Sequence, residues 1–392
     1  MPKDVLSRSP AAAPSSDRSL APDLARGVML LLIALSHAPA FVGDWNTGPA
    51  WLDATAKFVK SLVADNQARN MFVFLFGYGL VQLLAGQQAR GTGWPAVKSL
   101  LRRRAWWLIV IGFCNAVVFV PIDIVAVYGL TLLVLAPIVR ARASVLWWTG
   151  GLTLVPATLL LAWQSVVAQA DPSTIAEIME PTFAAHLLAG LPVWPANTVV
   201  STVMVVPAMA MGILAARRRL LDEPERHLPL LRRLAAAGLT VALLGRLPAA
   251  AMAAGLWSAD SAAVSWTVAV AHDLTGYAGG IGLAAAVGLV AAGLRGGRLT
   301  TALAALGRRS LTFYLFQALV WVVLFYPFTL GWHDDLGYAA ALGIAVAVWV
   351  VSIVLADGMR AVGHRGLAEI LLRRLTYRSS TANRGDAEVK PR

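Results

Sequence analysis

The sequence of 392 residues has little charge and a single cysteine. Charged residues make up 14% of the chain, whereas a soluble protein carries about 25%. One cysteine, Cys114, excludes an intrachain disulfide and a zinc site built from several cysteines. With 58% hydrophobic residues and a mean hydropathy of +0.66, the chain is predicted to be an all-α, multi-pass membrane protein.

Acidic residues are also scarce: 21 Asp and Glu stand against 33 Lys and Arg, for a net charge of +12. In a soluble domain this imbalance would indicate nucleic-acid binding. Here the basic residues cluster between apolar runs, which indicates contact with anionic membrane lipids instead. We therefore expect membrane lipids as partners and no nucleic acid.

Ten apolar runs follow the N-terminal tail, and most of them approach the roughly twenty residues that a helix needs to cross a bilayer. The sequence therefore predicts one bundle of about ten transmembrane helices. The runs cover residues 24–43, 67–86, 104–120, 122–139, 143–164, 196–216, 234–256, 265–293, 310–330 and 336–356.

The basic residues predict the orientation of this bundle. Of the 33 Lys and Arg residues, 29 fall in the two tails and in alternate loops, which should be cytoplasmic. Lys57, Lys60 and Arg69 fall on the opposite side, and Arg246 lies inside a span. Both termini are therefore predicted to be cytoplasmic.

Composition divides the chain into four parts. Residues 1–22 are predicted to be a disordered cytoplasmic tail, and residues 23–357 the ten-helix domain. Residues 358–377 form a basic, amphipathic cytoplasmic segment, and residues 378–392 a second disordered tail. The longest outer loop, 165–195, is either a lid on the membrane surface or a plain connector.

The first span carries the first pair of candidate functional residues. Arg26 and His37 are eleven residues apart, which on a helix places them within about 20° of one face and roughly 16 Å apart along the axis. Arg26 is either a topology anchor alone or a binding residue. His37 is either a functional group or an interhelical hydrogen-bonding residue, because polar groups in hydrocarbon require a partner or a cavity.

A second set of polar residues lies in the seventh and eighth spans. Arg246 and Asp273 are each predicted to lie about 15 Å from the outer surface, so we expect them to face each other. The pair is either structural or part of an anion site in which Arg246 keeps spare donors. His272 adjoins Asp273, and adjacent residues on a helix point about 100° apart, so no His–Asp dyad is expected.

The chain contains no phosphate-binding loop, no dinucleotide-binding glycine motif and no nucleophile elbow in a suitable context. No metal site and no bound cofactor are expected. The intramembrane polar residues are thus the remaining candidates for function.

Several short motifs resemble the YeiB-type family of bacterial membrane proteins, known as domain of unknown function 418. They are Arg26-Gly27, Leu75-Phe76-Gly77-Tyr78-Gly79, Asp123-Ile124 followed by Tyr128-Gly129, the run from Gly307 to Gln317, and Glu369 followed by the run from Arg373 to Tyr377. The resemblance covers nearly the whole chain. It implies a multi-pass protein of the bacterial cytoplasmic membrane.

The spacing of Arg26 and His37 is similar to a signature of the type-three membrane acyltransferases, which transfer acyl groups from cytoplasmic acyl-CoA to extracytoplasmic sugars or lipids. This resemblance implies an acyltransferase-like protein with His37 as the catalytic residue and Arg26 binding the donor, acyl-CoA being a co-substrate.

The alternative hypothesis is a transporter or flippase for an anionic small molecule or lipid. It would use Arg246, His272 and Asp273 as substrate and proton sites. A non-catalytic role in envelope assembly is a third hypothesis. The acceptor, the acyl group and the oligomeric state are left open.

Overall fold

The computed structural model describes residues 20–43, 48–170, 179–294 and 296–377, and within these ranges every regular element is a helix. Thirteen α-helices are joined by short connections, with 3₁₀ turns at Ala38–Phe41 and Pro224–His227 and a π-helical turn at Asn115–Phe119. The helices are α1 Leu20–His37, α2 Ala50–Val63, α3 Gln67–Gln88, α4 Trp94–Cys114, α5 Val125–Leu135, α6 Ala143–Ala170, α7 Phe183–Arg217, α8 Leu228–Ala253, α9 Ala262–Gly293, α10 Arg298–Gly307, α11 Ser310–Phe325, α12 Tyr338–Ala361 and α13 Leu367–Tyr377.

The prediction of an all-α, multi-pass membrane fold is confirmed. In the described ranges, seven helical stretches are long and apolar enough to cross a bilayer, and α10 and α11 together make an eighth if their 81° bend lies within one span. A helix occurs at each of the ten predicted positions, but α5 has only 11 residues. Ten crossings with both termini in the cytoplasm therefore stay a prediction.

The hydropathy pattern did not predict α2 and α10. Helix α2 packs on α8 and α12, and α10 packs on α1 and α12. Both are shorter than a bilayer crossing, and α2 carries two lysines on its 14 residues, so neither gives a long apolar run. Both helices nevertheless position functional side chains.

The predicted outer loop 165–195 is largely helical. Helix α6 continues to Ala170, and α7 begins at Phe183, so residues 183–195 are the first part of a 35-residue helix. The remainder, 171–178, lies outside the described residues. The predicted disordered tails also fall outside them, apart from residues 20–22, which begin α1.

Glycines allow the central helices to meet backbone to backbone. A Cβ at Gly77 of α3 would overlap the carbonyl oxygen of Met209 in α7. In the same way, a Cβ at Gly212 of α7 would overlap the carbonyl oxygen of Phe74 in α3. Such close approach of small residues is typical of helix pairs in membranes. It fixes α3 and α7 at the centre of the bundle, beside the cavities described next.

Candidate functional site

Two cavities lie within the bundle, one toward each end of α1. We call the one near the start of α1 the inner cavity; its volume is about 520 Å³. The one near the end of α1 is the outer cavity, of about 370 Å³. Both volumes fall in the range of roughly 300–1,000 Å³ that is usual for small-molecule sites.

Arginines dominate the charge of the inner cavity. Arg26, Arg104 and Arg308 line it, whereas its one acidic lining residue in the described chain is Glu369. Arg26 forms an ion pair with Asp23 at 3.1 Å, and Arg308 lies 3.9 Å from the same carboxylate. Since three cations share so few acids, the inner cavity is suited to an anionic ligand.

The one acidic lining residue is engaged in structure. Glu369 Oε1 accepts hydrogen bonds from the backbone N–H groups of Leu311 (2.9 Å) and Thr312 (3.3 Å), and its Oε2 accepts one from the Thr312 hydroxyl. These groups are among the unsatisfied donors at the start of α11, where a carboxylate is also favoured by the helix dipole. Helix α13 is thereby attached to α11 and supplies Leu372 to the cavity wall.

An aromatic partition separates the two cavities. It consists of Phe72, Phe76, Tyr128 and Tyr314. Phe72 lines both cavities, and its ring centroid lies 4.9 Å from that of Tyr128 and 6.2 Å from that of Tyr314. Phe76 stacks on Tyr128 at 4.5 Å. These contacts make one continuous aromatic cluster that contributes to the walls of both cavities.

His37 lies at the last residue of α1 and lines the outer cavity. Its ring is edge-on to Tyr314 at 6.4 Å. The Tyr314 hydroxyl donates to the Ile122 carbonyl (3.0 Å) and accepts from the Ile124 N–H (3.4 Å), which holds the tyrosine in place. Within the described ranges neither imidazole nitrogen of His37 has a hydrogen-bond partner, so both are available to a ligand.

Arg26 and His37 do not share a cavity. We expected one cavity to run from Arg26 to His37, but Arg26 lines the inner cavity and His37 the outer one, with Phe72 between them. The helical spacing places both residues facing the centre of the bundle, as expected. The spacing of two residues on one helix cannot predict which side chains of α3, α5 and α11 lie between Arg26 and His37.

Asp123 is a further carboxylate in the outer cavity. It caps the start of α5, accepting hydrogen bonds from the N–H groups of Val125 (3.0 Å) and Ala126 (2.8 Å). Asn115 donates to the same carboxylate at 3.4 Å. Asp123 thus holds the short α5 in position, and Tyr128 with it.

The expected ion pair between Arg246 and Asp273 is replaced by another arrangement. The guanidinium of Arg246 is fully buried and donates through Nε (3.1 Å) and Nη2 to the carbonyl oxygen of Ser61. Ser61 lies in the last turn of α2, where the helix dipole is negative. Asp65 and Asp273 are close enough to act on Arg246 electrostatically, so its charge is balanced without direct contact.

His272 and Asp273 do form a dyad, contrary to expectation. His272 Nδ1 lies 3.0 Å from Asp273 Oδ1, and the Ser165 hydroxyl donates to Asp273 Oδ2 at 2.9 Å. Backbone directions on a helix differ by about 100° between neighbours, but both side chains turn along the helix and meet. The expectation considered the backbone direction alone.

A third cavity, of about 670 Å³, adjoins this dyad at the outer end of the bundle, and we call it the lateral cavity. Ser61, Ser165 and His272 line it. Asp65 lines both the lateral and the outer cavity and accepts a hydrogen bond from Lys60 at 2.6 Å. The five predicted site residues therefore fall into three groups. Arg26 lines the inner cavity, His37 lines the outer cavity, and Arg246, His272 and Asp273 lie around the lateral cavity.

In the described part of the chain, no group of three or more His, Cys, Asp or Glu side chains is arranged to hold a metal ion. Cys114 is exposed.

Sequence reasoning assigned no role to several cavity residues, among them Arg69, Arg104, Asp123 and Glu369. A usable signal was present, because Asp123, Tyr128, Tyr314 and Glu369 all lie in the motifs that carry the family resemblance. The fold brings these distant motifs together around the inner cavity, the outer cavity and the partition between them.

The fold and the polar cavities define a polytopic helical membrane protein with buried charged sites. Residues 215–379 match the family described as Protein of unknown function (DUF418), so the resemblance to that family is confirmed. The chain is 26% identical to the uncharacterized protein YeiB of Escherichia coli (strain K12) over 395 residues, covering 93% of this chain and 97% of YeiB. It is 26% identical to the uncharacterized protein YxaH of Bacillus subtilis (strain 168) over 377 residues, covering 89% and 88%. No solved structure matches the chain.

Proposed function

We propose that this protein is an acyltransferase of the bacterial cytoplasmic membrane that moves an acyl group from acyl-CoA in the inner cavity to a hydroxyl acceptor in the outer cavity. The observation that carries the proposal is the position of His37. Its imidazole nitrogens face the outer cavity without a hydrogen-bond partner in the described chain, and a cluster of arginines lies across the partition.

The inner cavity supplies the donor site. Coenzyme A carries several phosphate groups at one end and a thioester at the other. Arg26, Arg104 and Arg308 present guanidinium groups, which bind phosphate through paired hydrogen bonds. A donor held there directs its acyl end along α1 toward the partition.

The transfer step needs one base and no cofactor. The acceptor hydroxyl oxygen attacks the thioester carbonyl carbon while His37 takes the hydroxyl proton. The carbon–sulfur bond breaks, coenzyme A leaves as its thiolate and receives the proton, and the acyl group stays on the acceptor as an ester. General base catalysis of this kind contributes about 10²- to 10⁴-fold to a rate.

The partition gives the reaction its sidedness. Phe72 and Tyr314 stand between donor and base, so the acyl chain reaches His37 only when these rings separate. While the rings stay in contact, the thioester would be kept away from the outer cavity. This separation would limit hydrolysis of the donor when no acceptor is bound.

The test is release of coenzyme A from acyl-CoA by the purified protein in lipid nanodiscs. A Cys114→Ser background is used throughout, because Cys114 is exposed and would react with a thiol dye. His37→Ala should lower turnover about 10²- to 10⁴-fold. His227→Ala, at a half-buried position that lines neither cavity, is the matched control and should retain turnover.

Arg26→Ala should raise the KM for acyl-CoA, whereas Arg226→Ala, at an exposed position, should not. Full turnover by a folded His37→Ala variant would show that His37 is not the base. No release of coenzyme A by the wild type would remove the acyltransferase proposal.

The lateral cavity favours a second candidate, a transporter or flippase for an anionic small molecule or lipid. Arg246, Asp65 and the His272–Asp273 dyad place buried charges beside an opening at the outer end. Such groups commonly mark ion or proton pathways. The discriminating experiment is uptake of labelled anions into proteoliposomes under a pH gradient, comparing the wild type with Asp273→Asn.

A further inference from the structure

Arg69 is a cation within the bundle whose contacts are unusually poor. It lies in the first turn of α3 and lines the outer cavity together with His37. Its closest hydrogen-bonding contact among the described residues is the thioether sulfur of Met204, at 3.7 Å from Nη1. A thioether is a weak acceptor, whereas a guanidinium carries five donors. Most of the hydrogen-bonding capacity of Arg69 is thus unused.

Two other cations at this end of the bundle each have an oxygen partner. Lys60 donates to Asp65 at 2.6 Å, and Arg246 donates to the Ser61 carbonyl. Oxygen acceptors are therefore present for other cations in this part of the bundle. Arg69 lacks one, and an intramembrane charge without compensation is costly. We take this difference as the sign of a ligand site.

The acids of the outer cavity are already committed elsewhere. Asp123 caps α5 and accepts from Asn115, and Asp65 is bonded to Lys60. The remaining polar lining consists of neutral amides and hydroxyls. These are Asn66, Gln164, Asn197, Ser36, Ser201 and Tyr314. Such groups suit hydroxyls on a ligand, and Arg69 suits an anionic group on the same ligand.

Arg69 and His37 line the same cavity. A ligand that binds Arg69 within this cavity is therefore near the imidazole. A cavity of about 370 Å³ has room for a small polyol that carries one anionic group and for little more.

From these observations we propose that Arg69 binds an oxyanion, a phosphate or carboxylate, on the acceptor, so that the acceptor is an anionic polyol whose hydroxyl is placed at His37. This inference rests on the proposed acyltransferase function and deepens it by naming the acceptor class. The anionic group belongs either to a free solute or to a lipid headgroup.

The experiment measures binding and not turnover, so that it can fail independently of the proposed function. The wild type in phosphatidylcholine nanodiscs is titrated calorimetrically with glycerol 3-phosphate, with glycerate and with neutral glycerol. We expect at least one anionic probe to bind tenfold or more tightly than glycerol. No preference for either anionic probe would overturn the inference.

Variants assign the preference to Arg69. Arg69→Gln should weaken anion binding at least tenfold, because a charge-assisted hydrogen bond is lost. Arg69→Lys should retain part of the binding, since it keeps the charge without the paired donors. Arg90→Gln, at an exposed position on the loop after α3, is the matched control. Unchanged anion binding in a folded Arg69→Gln variant would overturn the inference.

His37→Ala separates the two proposals. It should retain anion binding, because Arg69 is intact, while losing turnover. Anion binding that depends on Arg69 in a protein that releases no coenzyme A would reject the acyltransferase and keep the anion site. If replacing phosphatidylcholine by phosphatidylglycerol in the nanodisc displaces the free probe, the natural acceptor is a lipid headgroup; if it does not, the acceptor is a free solute.

Discussion

The two ends of the bundle are stabilised by different interactions. At the outer end, buried charges contact carbonyls and carboxylates: Lys60 with Asp65, Arg246 with Ser61, and Ser165 and His272 with Asp273. At the inner end, the carboxylate of Glu369 caps a helix, and Gly27 lets the backbone of α1 approach that of α10. Loss of charge at Arg246 therefore tests the outer end, and added volume at Gly27 tests the inner end.

The same division separates the candidate functions. The inner cavity presents a cluster of arginines for a polyanion, and the outer cavity mixes neutral polar groups with one imidazole and one poorly paired guanidinium. Two cavities of different chemistry, divided by an aromatic partition, fit the proposed transfer between two dissimilar substrates. The four variants that follow test how independent the two ends are.

The largest effect is expected from Arg246→Met, at the outer end. Removing the guanidinium leaves the Ser61 carbonyl without its donor and Asp65 and Asp273 without a neighbouring cation. Breaking a buried charged arrangement of this kind costs about 3–5 kcal/mol. Thermal unfolding in nanodiscs should show a clear loss of stability, and Arg233→Met, exposed on the same helix, should show almost none. Equal stability of the two variants would contradict a structural role for Arg246.

Gly27→Ala should have the next largest effect, at the inner end. A Cβ at Gly27 would meet the carbonyl oxygen of Leu303 in α10. Since backbone cannot move away as a flexible side chain does, we expect a loss of about 1–3 kcal/mol. The control is Gly86→Ala, where no atom lies within 4 Å of the added Cβ. A Gly27→Ala variant as stable as the control would show that α1 and α10 are not in contact.

Glu369→Ala tests the helix cap. It removes the acceptor for two backbone N–H groups and one hydroxyl at the start of α11. We expect a loss of about 1–2 kcal/mol, because the site is half-buried and water replaces part of the bonding. Acyl-CoA binding should weaken while binding of the anionic probe to the outer cavity is unchanged. Parallel loss at both cavities would mean that the two ends are coupled. Glu225→Ala, at an exposed position, is the control.

Tyr314→Phe should have the smallest effect. The ring and its place in the partition are kept, but the hydrogen bonds with Ile122 and Ile124 are lost, at a cost of about 1 kcal/mol. Chemical denaturation should detect the difference. If Tyr314→Phe instead raises the rate of donor hydrolysis without acceptor, the hydroxyl also keeps the partition closed.

Much of this architecture could be predicted from hydropathy alone. Long apolar runs placed a helix at each expected position, because burial in lipid demands continuous apolar sequence. Helices α2 and α10 escaped prediction because they are short and carry charge, and packing against neighbours stabilises them.

The site could be predicted only in part. His37 was found because an imidazole in an apolar run is conspicuous. The partner of Arg246 was missed because a backbone carbonyl such as that of Ser61 has no signature in the sequence. Arg69 was counted as a residue of the outer side although the predicted second span, 67–86, includes it, and only the structure shows that it lines the outer cavity.

Glu369 has a consequence for biogenesis. Membrane helices are inserted as they are synthesised, and Glu369 follows α1 to α12 in the chain. The backbone N–H groups at the start of α11 therefore lack the Glu369 carboxylate until α13 has been synthesised and packs against α11. The wall of the inner cavity is completed at the same step. A chain that ends before α13 would contain His37 and the outer cavity but would lack Glu369 and Leu372 in the wall of the inner cavity. If the inner cavity is the proposed donor site, that site is therefore completed last.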